Sequence, residues 1–132
     1  MGKYIVTNNP LVEEKLEEFV MVKYLDVDYL GLLEAVRDMV HRGAILLTHP
    51  LSGSVKPNET PYKSVLLTQG PDKQTDLESI KLIESAILTA KKFMLDKPDY
   101  ESAFTERVRK DCQIIDYTLI SSALPSAGIS TF

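Results

Sequence analysis

The residues of this chain best equipped for chemistry crowd into one stretch, His49-Pro50-Leu51-Ser52-Gly53-Ser54-Val55-Lys56-Pro57-Asn58-Glu59-Thr60-Pro61-Tyr62-Lys63-Ser64. Ser52, Gly53 and Ser54 offer hydroxyls and closely approachable backbone, Lys56 and Lys63 offer ammonium groups, and Asn58 offers a directional amide. Between Ala44 and Thr75 the charges are Lys56, Lys63 and Lys73 against Glu59 and Asp72, three minus two, a positive excess on an acidic chain. That balance predicts a small anionic ligand, a phosphate or a carboxylate. His49 is the candidate general base, because an imidazole with an unperturbed pKa near ~6.5 exchanges protons at neutral pH. No carboxylate stands at a motif spacing to orient it, and Ser52 or Ser54 as nucleophile rests on proximity alone. Neither G-x-x-x-x-G-K-[ST] nor G-x-G-x-x-G occurs, so no P-loop or dinucleotide fingerprint is indicated. The plainer alternative is a loop pinned by Pro50, Pro57 and Pro61 whose polar groups bond one another.

The elements that must position this stretch follow from apolar periodicity. Tyr4-Ile5-Val6-Thr7 reads as a strand buried on both faces, ended by Asn8-Asn9-Pro10, where an asparagine caps a helix over about 10–18. Leu11, Val12, Leu16 and Phe19 form that helix's inner side. A second strand covers 20–25, with Lys23 marking a place near a sheet edge. Asp28 caps a helix reaching about Arg42, and Gly43 stands where a left-handed residue is wanted. The third strand covers 44–47 and the fourth 63–68. Thr75 and Glu78 form a capping box for a helix with Ile80, Ile83, Ile87, Ala90 and Met94 along one stripe. A last helix over about 100–122 turns Phe104, Val108, Cys112, Ile115 and Leu119 inward and leaves Asp111 and Asp116 on its solvated flanks. Cys112 reads as a small hydrophobe, and Tyr62 as a lid over the core or, alternatively, a ring to stack on a ligand.

Alternating strands and helices predict one α/β domain over 1–132, with a loosely held tail over 126–132. The expected architecture is a three-layer α/β/α domain with two long C-terminal helices. Its four-stranded sheet is mostly parallel in the order 2-1-3-4, with an antiparallel 3–4 hairpin left open. In such sheets ligands sit beyond the carboxyl ends of the strands where the order reverses, which brings Asn8 and Asn9 together with the loop beginning at His49. The expected binding set is therefore Asn8, Asn9, His49, Ser52, Ser54, Lys56, Asn58 and Lys63.

At 132 residues and 44% hydrophobic composition the chain can bury a core, and its net charge of −4 argues against a nucleic-acid binder. The acids Glu13, Glu14, Glu17 and Glu18 would be repelled by an anionic membrane, and no apolar run approaches the ~20 residues a spanning helix needs. One cysteine permits no internal disulfide, and two histidines on separate elements indicate no metal site. No cofactor is indicated, and a cytoplasmic setting is the expectation.

Two stretches, Ile5-Val6-Thr7-Asn8-Asn9-Pro10 and the run from Leu47 through Ser64, resemble the GrdX family, small proteins encoded with glycine, sarcosine and betaine reductase systems. The resemblance implies a cytoplasmic accessory role around such a reductase, with its subunits as partners; the family's biochemical function is unassigned and no catalytic residues carry over. Three readings stand side by side. The first is an accessory protein binding a small anion or an anionic partner segment at the 48–64 loop. The second is a small transferase or hydrolase acting on a phosphorylated or acylated metabolite through His49. The third is a homodimer formed by a second apolar face of the last two helices.

Overall fold

The β-branched run at the start of the chain forms β1 (Lys3–Thr7), whose last four residues are all buried. In the computed structural model, which describes residues 2–51, 55–71 and 74–131, Asn9 lies two residues past this strand and caps α1 (Pro10–Leu16). Its side-chain oxygen accepts from the Leu11 amide at 3.0 Å, and Pro10 occupies the first turn. The chain continues through β2 (Met21–Tyr24), α2 (Tyr29–His41), β3 (Ala44–Leu46), β4 (Ser64–Gln69), α3 (Leu77–Asp96) and α4 (Glu106–Ala123). Asp28 caps α2 through the Gly31 amide at 2.7 Å. After α2, Gly43 takes φ 104°, a conformation that side chains resist, and its carbonyl accepts the Gly70 amide at 2.9 Å.

The four strands are ordered β2-β1-β4-β3, not 2-1-3-4, and the sheet is mixed. β1 and β2 run parallel, while β4 lies antiparallel to both β1 and β3. Burial explains the order. Ser64 to Leu67 of β4 are buried throughout and claim a central position, whereas only Ala44 is fully buried in the three-residue β3, which suits an edge. The carboxyl ends of β1, β2 and β3 and the amino end of β4 thus meet at one rim of the sheet.

The alternation of each strand divides two apolar layers. Tyr4, Val6, Val65 and Leu67 pack under α2 and α3 with Leu32, Leu33, Val36, Ile83 and Ile87. Ile5 and Leu66 face the opposite way, against Val12 and Leu16 of α1, Ile120 of α4 and Leu124 just after it. The three-layer arrangement holds, but several details of the helices differ from the sequence reading. Asp76, not Thr75, caps α3, accepting from the Ser79 amide and hydroxyl. The C-terminal half is not simply two helices: a 3-10 turn (Tyr100–Ala103) precedes Thr105, which caps α4, and a second (Pro125–Ala127) follows it. The buried stripe of α4 is Cys112, Asp116 and Ile120, while Ile115 and Leu119 are 45% and 40% exposed. Phe19, expected on the inner side of α1, is also exposed. Among the described residues no helix is long and apolar enough to cross a membrane.

Leu66 is fully buried in the central strand between α1 and α4. Leu66→Ala should cost about 2–5 kcal/mol in urea unfolding with an unchanged m-value. A cost below about 1 kcal/mol would contradict the placement of β4 at the centre of the sheet.

Candidate functional site

Where β1 ends, its register with β4 sets Thr7 opposite Ser64. Both side chains point toward α4, and a chain of hydrogen bonds runs outward from them. The Asn9 amide donates to Thr7 Oγ1 at 2.9 Å, the Thr7 and Ser64 hydroxyls lie 2.6 Å apart, and Ser64 Oγ donates to Asp116 Oδ2 at 2.6 Å. Since the Ser64 proton goes to the carboxylate, the Thr7 hydroxyl donates to Ser64. Asn9 Nδ2 closes the ring, donating to Asp116 Oδ2 at 3.0 Å and to the Gln113 carbonyl at 2.9 Å. Asn9 and Thr7 are fully buried and Asp116 is 7% exposed. One carboxylate therefore joins β1, β4, the start of α1 and the middle of α4.

Asn8 makes a second set of ties. Its Nδ2 donates to the carbonyls of Val27 and Pro61 at 3.0 and 2.9 Å, and its Oδ1 accepts the Lys63 amide at 2.9 Å. The β2–α2 connection and the end of the 47–63 loop are thereby fastened to the end of β1. Lys63 is 8% exposed and its side chain faces a small cavity shared with Asp116, Tyr29, Cys112 and Thr60. Its volume of about 20 Å3 has room for one water. Burial lowers the Lys63 pKa while the Asp116 charge raises it. Burial raises the Asp116 pKa above the ordinary carboxylate value, against the lowering effect of the Ser64 and Asn9 hydrogen bonds and the Lys63 charge. Tyr29 is pushed up by burial and then by Asp116.

Beside this buried set opens a cleft of about 280 Å3, beyond the carboxyl ends of the parallel pair β1 and β2. Asn8, Pro10, Thr60 and Pro61 line it together with the rings of Tyr24, Tyr29, Tyr62, Tyr100 and Phe104. Its charged groups are Asp26, Asp28, Glu101 and Arg109. Gln113 Nε2 donates to the Tyr62 hydroxyl at 3.0 Å, and Arg109 Nε donates to the Phe104 carbonyl at 3.1 Å with its guanidinium 5.8 Å from that ring. Tyr62 is thus a wall between two cavities and is anchored to α4.

The eight residues singled out from sequence divide among several places. Asn8, Asn9 and Lys63 come together as described. Asn58 Nδ2 donates to the Phe93 carbonyl of α3 at 2.9 Å, and the exposed Lys56 has its ammonium 5.9 Å from the Phe93 ring. His49 is exposed, its Nδ1 accepting the Leu51 amide at 3.1 Å, and β4 stands between its strand and β1. Ser52 and Ser54 lie outside the described residues. The rim does bring the β1 end to the loop, but to its exit at Asn58–Ser64 and not its entry at His49. Asp116, expected on a solvated flank, is the hub. Its signal was the spacing Cys112, Asp116, Ile120, an i, i+4, i+8 row that only a partner offering donors could bury. Tyr24, Tyr100 and Arg109 carried no comparable signal, since they come from separate elements.

Asp116→Ala strands the Ser64 hydroxyl and the Asn9 amide and should cost about 2–4 kcal/mol. The raised Asp116 pKa means that its stabilising contribution is full below the unfolded value and is lost as pH rises through the folded value. Lys63, lowered, runs the other way, its contribution full above the unfolded ammonium value and lost as pH falls through the folded one. Urea unfolding from about pH 4 to 7 should therefore show wild type losing stability relative to Asp116→Asn as pH rises. A parallel pair of curves would contradict the burial of this carboxylate.

No curated protein and no solved structure matches the chain. The model of one family does, over residues 4–125, a span holding β1 from Tyr4 onward, the whole 47–63 loop and α4 with its Asp116. The chain belongs to the GrdX-like protein family.

Proposed function

We propose that this chain is a non-catalytic accessory protein that takes up a small metabolite with an anionic group in the cleft beyond β1 and β2. The observation that carries this is the cleft itself, about 280 Å3 in volume and walled by segments from β2, the β2–α2 connection, the loop exit and the start of α4. A pocket of this size suits a small metabolite, and beyond strand carboxyl ends is where α/β sheets present ligands. The expected anion partners, Lys56 and Lys63, do not serve the cleft: Lys56 is exposed beside Phe93, and Lys63 faces the neighbouring cavity with Asp116. Arg109 is the cation lining it and is the group to meet a carboxylate or phosphate. Asn8 and Asn9 would act by position, since their amides are engaged with the protein's own groups.

The family's name associates it with glycine reductase systems, so we place the protein as an accessory of such a system with the reductase subunits as its partners. The transferase or hydrolase alternative finds less support, because His49 spends Nδ1 on a local turn at the far side of β4.

A thermal-shift panel of acetate, phosphate, acetyl phosphate, glycine and betaine tests the reading. A ligand at ~100 times its dissociation constant adds about 2.7 kcal/mol, enough to raise the midpoint by several degrees. At least one compound should do so in wild type and in Arg109→Lys, with the shift lost in Arg109→Gln. No shift from any compound, or a shift indifferent to Arg109→Gln, would contradict it.

A further inference from the structure

The charge lining the cleft does not suit an anion alone. Three carboxylates, Asp26, Asp28 and Glu101, face one guanidinium, Arg109, which leaves an excess of two negative charges. Among the described residues none of the three carboxylates belongs to an ion pair; the pairs are Arg37 with Asp38 and Lys110 with Glu106. Asp28 caps α2 and Glu101 accepts from the Tyr100 hydroxyl at 3.3 Å, neither of which neutralises its charge. Five aromatic rings line the same space. Rings present a negative face, so rings and carboxylates together favour a bulky, weakly hydrated cation over a metal ion, which would need converging oxygen ligands.

We propose that the cleft holds an alkylammonium group against its tyrosine and carboxylate wall, with Arg109 receiving an anionic group at the other pole of the same ligand. The inference rests on the cleft being the binding site and assigns the ligand's class, a small zwitterionic amine. The negative field is also felt by the phenols themselves. Tyr24 is raised by burial and then by Asp26 and Glu13, and Tyr100 by burial and then by Glu101 and Asp28. A cation seated there would relieve that field, whereas a simple anion would add to it.

Choline and its uncharged carbon isostere, 3,3-dimethylbutan-1-ol, separate charge from shape. Calorimetric titration at constant ionic strength should show choline binding wild type about tenfold or more tighter than the isostere. The variant Asp26→Asn with Glu101→Gln should lose that preference while unfolding at the wild-type temperature without ligand. Tyr100→Leu should weaken choline and leave the isostere little changed. Equal binding of the two compounds, no choline binding, or a preference that survives in the double variant would overturn the inference. If choline fails while an anionic compound still gives an Arg109-dependent shift, the cation site alone falls. If neither binds, the cleft as a binding site falls with it.

Discussion

A carboxylate taken out of water must recover in hydrogen bonds what it loses in hydration, and Asp116 does so by reaching across the layers of the fold. It accepts from Ser64 on β4 and from Asn9 at the β1–α1 junction while standing on α4. Those segments are far apart in sequence, and the apolar contacts of Ile5, Leu66, Val12 and Ile120 below them would tolerate small rotations of α4. Hydrogen bonds to a fixed oxygen are less forgiving. The helix is held in one rotation, with Cys112 and Asp116 toward the sheet and Ile115 and Leu119 away.

That rotation sets the neighbouring cleft. With Asp116 anchored, Gln113 sits one turn earlier with its carbonyl on Asn9 and its amide on the Tyr62 hydroxyl, and Arg109 lies one turn before that. The other wall is fixed by Asn8, which binds the β2–α2 connection through Val27 and the loop exit through Pro61 and Lys63. The adjacent asparagines thus divide the work: Asn9 orients α4, and Asn8 orients the two segments that face it. A ligand site needs this kind of support, because rings and charges a short distance out of place bind poorly.

Local signals in the sequence were sufficient for the strands and for both early helices, whereas the meeting of the β1 end with the loop entry at His49 was inferred from the order 2-1-3-4 and falls instead at the loop exit. Asn9 with Pro10, Asp28 and Gly43 are positions where a residue type has one cheap backbone role. Sheet order was not legible in the same way, because periodicity reports burial within a strand and says nothing of its neighbour; the 47–63 link left the antiparallel pairing of β3 with β4 open, and that is the pairing found. Reading α4 by hydrophobicity chose the stripe through Ile115 and Leu119, since a lone aspartate between apolar neighbours ordinarily marks the wet side. Its burial depends on Ser64 and Asn9, more than fifty and one hundred residues away. The cleft was hidden for a related reason: Tyr24, Tyr62 and Tyr100 are unremarkable singly and become a wall only when the rim assembles them.

Carbon-13 NMR titration of the Asp116 side chain reads out whether a buried carboxylate organises the rim and its cleft. Its midpoint should lie above the ordinary aspartate value of about 3.9, with the side-chain amide signals of Asn9 moving at the same midpoint. A midpoint at the ordinary value together with Asn9 signals indifferent to it would place the carboxylate in water and remove the tie on which the cleft depends.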